Sequence, residues 1–418
     1  MFTESEFSIF DFASCISEAI DLVFPALNDH HKKVAYISYN IAREMDLPGD
    51  EILDIVLAAI LHDIGAFSVE ERKKVVDAQF DDSHHNHHCI VGCKLFGNFE
   101  PLANAAVIIK HHHDHYHETA DEIPIGSYVI HLADRVSTLL RSNVEILGQV
   151  PGIIAKVEEN KAIFHPDTLE ALHRLKKLEY FWIEASALPM DSVLQERLKF
   201  TKEAIDLDTL MSFAKVVSKI IDYRSRFTSA HSSGVAAVAL ELTTIHGFSE
   251  RECKMMEIAG FLHDLGKLAI SNEILEKNDA LTHEEFNEMR KHTYFTYIVL
   301  NKIKGLERIS TWAAYHHEKL NGNGYPFHVK GEDFSKLARI MAVADIVTAI
   351  TEDRPYRKGM EKDEAMRVLD RMVEDNSIDK GVVDIVRENF SRINDLRMKA
   401  QQDAMEEYIA FSTEFNEK

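Results

Sequence analysis

Apolar residues recur along most of the chain at steps of three and four, the period of a helix packed on one face, while strict strand-type alternation is scarce. In DLDTLMSFAKVVSKIIDY, Leu207, Leu210, Met211, Ala214, Val217 and Ile221 fall on one stripe, which predicts an amphipathic helix. Nine prolines and 17 glycines in 418 residues leave few breaks in this pattern. The predicted fold class is all-α, built from helical bundles.

A chain of 418 residues exceeds what one hydrophobic core usually serves, so two domains are expected. An internal repeat supports this. His30 lies 32 residues before His62, and His231 lies 32 before His263; His88 lies 24 before His112, and His292 lies 24 before His316. A second histidine follows directly in each copy, at His113 and His317. Each copy then reaches an apolar run with one aspartate, Asp134 in HLADRV and Asp345 in MAVADIV. The reading is two tandem helical domains, 1–195 and 196–418, joined by a helix within about 190–206. The second copy alone carries LNGNGYPFHVKGE, a Gly/Pro/Asn-rich loop.

Charge narrows the partners. With 47 basic and 69 acidic residues the formal charge is -22, which opposes binding to a nucleic-acid polymer. A phosphorylated substrate must then be small and held by local cations or metals. Cys15, Cys89, Cys93 and Cys253 lack disulfide-framework spacing and read as free thiols of a reducing compartment. No window approaches eighteen uninterrupted apolar residues, and MFTESEFSIFDF carries acids where a secretory signal carries Lys or Arg. A cytoplasmic protein without a membrane partner is expected.

The second copy gathers His231, His263, Asp264, His292, His316, His317 and Asp345, ligands of the imidazole and carboxylate type with no thiolate. Such a set suits Fe, Mn, Zn or Ni and points away from structural zinc. Seven ligands exceed the needs of one tetrahedral ion and match a pair of ions, so the site reads as binuclear.

The segments HDLGK, HHEKLNGNGYP and DRPYR together resemble the HD-GYP family of cyclic dinucleotide phosphodiesterases, over residues 205 to 375. The resemblance implies that those seven residues hold two divalent metal ions, with Fe or Mn foremost. It implies that Lys267 stands beside the metals with His263 and Asp264 and contacts a phosphate. It also implies that Tyr325, in the Gly324–Tyr325–Pro326 signature, and Arg354 and Arg357 contact substrate. Arg357 replaces a lysine common in the family. Some members carry a metal-binding glutamate where this chain has Phe227, so two ions rather than three are expected. The activity implied is hydrolysis of cyclic di-GMP, cyclic GMP-AMP or both to a linear dinucleotide, by a hydroxide bridging the metals. The alternatives are a phosphohydrolase of mononucleotides or guanosine polyphosphates, and a cyclic-dinucleotide receptor that does not hydrolyse.

The first copy, His30, His62, Asp63, His88, His112, His113 and Asp134, retains every metal-type position and resembles an HD-superfamily domain without the GYP loop. It has Ala66 where the second copy has Lys267, and no DRPYR-like segment, with Arg135 a partial substitute. Three readings compete: a phosphatase on the linear product, a metal-bound regulatory domain, and a remnant kept for dimerisation or packing. Cys89 and Cys93 read as core thiols, and His84, His85, His87, His111, His115 and His117 as solvent-facing bystanders. The run DLRMKAQQDAMEEYIAFSTEF is long enough to pack on a second subunit of a homodimer or to cover the N-terminal domain, with a plain packing helix the expected case.

Overall fold

The computed structural model describes residues 7–21, 29–66, 86–117, 122–141, 144–186, 190–197, 204–224, 230–277, 279–353 and 357–416. The chain divides into two compact units, Ser8–Ala204 and Ile205–Lys418, the second of which also takes in Phe7. Both are helical, as the periodicity predicts; the strands among the described residues are Phe7–Ser8 and Ala204–Ile205. The junction expected as one helix is helical over Met190–Arg197, while 198–203 lie outside the described residues.

The N-terminal unit comprises α1 (Ile9–Asp21), α2 (His30–Glu44), α3 (Gly49–Leu61), α4 (Asn86–Phe96), α5 (Ala103–Lys110), α6 (Ile125–Leu139), α7 (Ile146–Glu159), α8 (Pro166–Leu175), α9 (Glu179–Ala185) and α10 (Met190–Arg197). Helix α2 is its spine, packing on α3, α6 and α8. Val34, Ala35, Ile37 and Ile41 on α2 are fully buried. Pro166 at the first position of α8 needs no amide partner there.

The C-terminal unit comprises α11 (Leu207–Tyr223), α12 (His231–Ile245), α13 (Glu250–Leu262), α14 (Asn272–Leu275), α15 (His283–Leu300), α16 (Glu307–Ala314), α17 (Lys336–Thr351), α18 (Lys362–Glu374) and α19 (Lys380–Asn416). Capping boxes, Ser249 with Glu252 and Thr282 with Glu285, start α13 and α15 by satisfying amides that lack a partner within the helix. On α11, Leu210, Met211, Ala214, Val217 and Ile221 of the expected stripe are buried, and Leu207 in the first turn is half-buried. Helices α12 and α13 cross closely: a side chain at Gly260 would meet the Ala236 Cα at 2.6 Å. The long α19 lies along α12 and also touches α17, so the C-terminal run covers its own unit. No helix among the described residues is long and apolar enough to cross a membrane.

Candidate metal centres

The repeated residues occupy the same places on the same elements in both units. His30 and His231 open α2 and α12, and the His62–Asp63 and His263–Asp264 pairs follow directly on α3 and α13. His88 and His292 lie within α4 and α15; His112–His113 and His316–His317 follow α5 and α16; Asp134 and Asp345 lie in mid-helix on α6 and α17. Glycine explains the close approach of the middle histidine. A Cβ at Gly65 would stand 2.1 Å from the His88 carbonyl oxygen, and one at Gly266 would stand 1.9 Å from that of His292.

In the C-terminal unit all seven residues converge. His231 Nε2 lies 3.2 Å from Asp345 Oδ1, His263 Nε2 lies 3.2 Å from Asp264 Oδ2 and 4.0 Å from Asp345 Oδ1, and His317 Nδ1 lies 3.9 Å from Asp345 Oδ2. His292 and His316 place Nε2 at 3.5 and 3.9 Å from Asp264 Oδ1, and 3.2 Å from each other. Three rings are pegged from behind: the Nδ1–H of His263, His292 and His316 donates to the carbonyls of Gly260, Met289 and Ala313 at 2.7, 2.6 and 2.6 Å. That tautomer turns each Nε2 lone pair inward. His263 Nε2 is buried without a hydrogen bond, a donor atom left for an ion. Five imidazoles and two carboxylates arranged this way fit a pair of divalent ions.

Electrostatics sort the ligands. Burial would raise the Asp264 and Asp345 carboxyls, but His263 and Lys267 around the first, and His231, His316 and His317 around the second, hold both well below the ordinary carboxylate range. Burial pushes His292 down to about 3 and also lowers His316 and His317, so these rings are neutral and able to ligate. Burial would lower His231 too, but Glu352 and Asp345 lift it to about 10. An arriving ion must displace that proton.

Six of the seven N-terminal positions repeat the geometry to within tenths of an ångström; the seventh, His113, instead meets Arg135 Nη2 through Nδ1 at 3.0 Å, and Arg135 Nη1 lies 3.6 Å from Asp134 Oδ2. His30 Nε2 is 3.1 Å from Asp134 Oδ1; His62 Nε2 is 3.2 Å from Asp63 Oδ2 and 4.0 Å from Asp134 Oδ1. His88 and His112 stand 3.3 and 3.8 Å from Asp63 Oδ1 and 3.3 Å from each other. His62 and His112 are pegged on Ala59 and Ile109 carbonyls at 2.8 and 2.7 Å, and the His113 ring lies tilted beside that of His112, centres 4.1 Å apart. Burial would lower His62, but Asp63 and Asp134 raise it to about 9. Among the residues read as bystanders, His87 and His117 are exposed and His111 pairs with Asp114 at 2.6 Å; His84 and His85 lie outside the described residues. Cys89, read as a core thiol, is buried, but its sulfur lies 3.6 Å from His88 Nε2, inside a grouping with His112 and His113.

The two sites differ at their openings. The His317 side chain is 34% exposed and that of Lys267 21%, with Lys267 Nζ 2.6 Å from Asp264 Oδ2. Their N-terminal counterparts, His113 and Ala66, are buried. Tyr325 borders the C-terminal opening, its ring 5.0 Å from that of His317 and 4.7 Å beneath the Arg290 guanidinium. The Tyr325–Pro326 peptide is cis. The loop behind it hangs on Glu318, a buried carboxylate that accepts the amides of Phe327, His328 and Val329 at 2.6, 3.1 and 3.1 Å. Arg357 Nη2 donates to the Ala349 carbonyl at 2.7 Å, while Arg354 and Phe227 lie outside the described residues.

Family models described as HD domain match residues 28–139 and 215–382, so the chain belongs to the HD-domain proteins and carries two such domains in tandem. A 3'3'-cGAMP-specific phosphodiesterase of Vibrio cholerae is 28% identical over 396 residues, 90% of each chain. A cyclic di-GMP phosphodiesterase response regulator of Xanthomonas campestris is 36% identical over 155 residues, 37% of this chain and 41% of that relative. The crystal structure of a cyclic GMP-AMP specific phosphodiesterase of V. cholerae shares the fold, with TM-score 0.61 and 20% identity over 96% of this chain and 98% of that one.

Proposed function

We propose that the C-terminal site hydrolyses one phosphodiester bond of a cyclic dinucleotide to give a linear dinucleotide, with cyclic GMP-AMP the first substrate to test and cyclic di-GMP the second. The observation that carries this reading is a seven-ligand set beside an opening bordered by Lys267 and Tyr325. His231, His263, Asp264, His292, His316, His317 and Asp345 are the residues that would hold two ions, Fe or Mn before Zn or Ni. Bound ions supply charge for the phosphoryl oxygens and make water a nucleophile at neutral pH.

The remaining work falls to the chain itself. Burial would lower the Lys267 ammonium, but Asp264 keeps it above the ordinary lysine value and charged, 2.6 Å away, where it balances phosphoryl charge at the opening. The Tyr325 ring offers a stacking face for a base, and Glu318 holds the loop that presents it. Arg357 would contact substrate only by releasing the Ala349 carbonyl. The cyclic GMP-AMP preference rests on the relative that aligns along 90% of both chains, across both HD domains.

The N-terminal site is read as a second metal site. Its counterpart positions at the opening are buried, which suits the terminal phosphate of a linear product or a regulatory ion better than a cyclic dinucleotide.

The test incubates Mn- or Fe-loaded protein separately with cyclic GMP-AMP and cyclic di-GMP and resolves products by chromatography, beside a His263→Ala, Asp264→Ala double variant. Linear product from the unsubstituted protein alone is expected. No turnover despite bound metal overturns the reading in favour of a receptor or a mononucleotide phosphohydrolase.

A further inference from the structure

The duplication aligns one residue pair outside the shared ligand set, and the two copies fill it differently. Asp21 stands nine residues before His30, as Asp222 stands nine before His231, and the residue after each of those histidines is His31 in one copy and Ser232 in the other. Both pairs touch. The Ser232 hydroxyl donates to Asp222 Oδ1 at 2.8 Å, and the His31 Nδ1–H donates to Asp21 Oδ1 at 2.7 Å. Serine ends there. Histidine continues: the bond to Asp21 fixes the tautomer and aims the opposite nitrogen into the metal site, the arrangement by which an outer carboxylate orients a ligating imidazole.

His31 Nε2 reaches 4.0 Å from Asp63 Oδ2, and its ring centre lies 5.2 Å from that of His62. Four ångströms is too long for a hydrogen bond, yet it falls within the roughly 4.3 Å that a nitrogen and an oxygen can span across one ion at bond lengths of about 2.0–2.2 Å. His62 Nε2, 3.2 Å from the same Asp63 oxygen, is buried without a hydrogen bond and faces the same point. His31, His62 and Asp63 each offer a ligand atom, all within 4.8 Å of one another, and all three side chains are at least 97% buried. In the C-terminal unit the matching oxygen, Asp264 Oδ2, is covered by Lys267; here that position is Ala66 and no cation arrives from it.

We propose that His31 is a metal ligand of the N-terminal site, with Asp21 as its positioning residue, so that one ion is held by His31, His62 and Asp63 where the other copy sets Lys267 against the carboxylate. The inference rests on the reading of the N-terminal site as a metal site. It sets the two sites apart at one carboxylate: the C-terminal one places the Lys267 ammonium against Asp264, and the N-terminal one places a further imidazole beside Asp63.

The experiment uses the full-length chain with His263→Ala and Asp264→Ala, so that bound metal reports the N-terminal site. After chelation, Co²⁺ is titrated back, bound ions are counted by mass spectrometry, and the ligand field is read in the visible spectrum. Adding His31→Ser, which installs the residue found in the other copy, is expected to weaken Co²⁺ binding at least tenfold and to shift the visible bands. Asp21→Asn is expected to weaken binding less, as befits a residue acting through His31. An unchanged affinity and spectrum in His31→Ser overturns the role of His31 and leaves the N-terminal site a metal site. No Co²⁺ bound by the parent overturns both. Should His31→Ser fail to fold by circular dichroism, the cobalt-loaded parent decides by proton NMR: a cobalt-shifted His31 ring N–H that Asp21→Asn displaces supports the proposal, and its absence overturns it.

Discussion

Glu352 accepts the Nδ1 proton of His231 at 3.0 Å from a position 5% exposed, and the Gln401 amide of α19 donates to the same carboxylate oxygen at 2.9 Å. The first candidate ligand of the C-terminal site is thus aimed by a carboxylate that the terminal helix also holds. An outer partner of this kind is worth roughly 10–100-fold in metal affinity. Glu352→Gln is expected to weaken Mn²⁺ binding by that factor and to lower turnover at limiting metal, with partial recovery at excess Mn²⁺. Isothermal titration and a metal-dependent rate series measure both.

Lys267→Met removes the charge opposite Asp264 and leaves all seven ligands. Turnover of the preferred cyclic dinucleotide is expected to fall roughly 10²–10³-fold, the usual loss on removing one charge-stabilising donor. Metal content by mass spectrometry is expected to stay at the wild-type value.

Glu318→Gln replaces a carboxylate that takes three backbone amides with an amide that accepts at one oxygen only. A buried amide left unpaired costs about 1–3 kcal/mol. The loop carrying Tyr325 loses its anchor, so KM is expected to rise severalfold with little change in kcat, alongside a lower melting temperature. Steady-state kinetics and calorimetry separate the two effects.

Gly266→Ala pushes a methyl to 1.9 Å from the His292 carbonyl oxygen, and Gly65→Ala pushes one to 2.1 Å from that of His88. Neither backbone can yield without moving its histidine. Each substitution is expected to cost about 1–3 kcal/mol and to empty only its own unit's metal site. Metal counting on the two single variants, in parallel, checks the independence.

Asp379 ties the start of α17 to α19, taking Lys336 Nζ at 3.0 Å and Arg339 Nη1 at 3.2 Å. Partial burial would raise its carboxyl, but the two cations hold it below the ordinary value. A carboxyl depressed in the folded state adds stability that is present above its unfolded pKa, near 3.8, and is lost as pH falls through the lower folded value. Asp379→Asn is therefore expected to lower the melting temperature at neutral pH and to flatten its fall below about pH 4, as read by thermal denaturation across pH.

The convergence of the candidate ligands was legible because these residues sit at fixed places on successive helices, and the repeated intervals of 32 and 24 preserve those places in the sequence. The helical class followed from periodicity for the same reason. The outer partners were not legible. Glu352 meets His231 across 121 residues, and Glu318 acts through backbone amides that no motif displays. The Asp21–His31 pair did leave a signal, since an aspartate precedes the first histidine by nine residues in both copies. Reading it required knowing that α1 and α2 bring those side chains together. Cys89 is buried, as the core reading has it; the 3.6 Å approach of its sulfur to His88 Nε2 was not legible, because adjacent residues on a helix do not ordinarily face each other.

Five of the imidazoles are pegged on the carbonyl three residues earlier: His62 on Ala59, His112 on Ile109, His263 on Gly260, His292 on Met289 and His316 on Ala313. Each helix therefore delivers its own ring already oriented, and the rotational entropy of those side chains is spent during folding rather than at metal capture. Ion exchange at such a centre is a matter of protons and water leaving a finished cage. Loading and stripping of metal are then expected to leave the secondary structure in place, so that the availability of metal would set activity without calling on the machinery that clears unfolded chains.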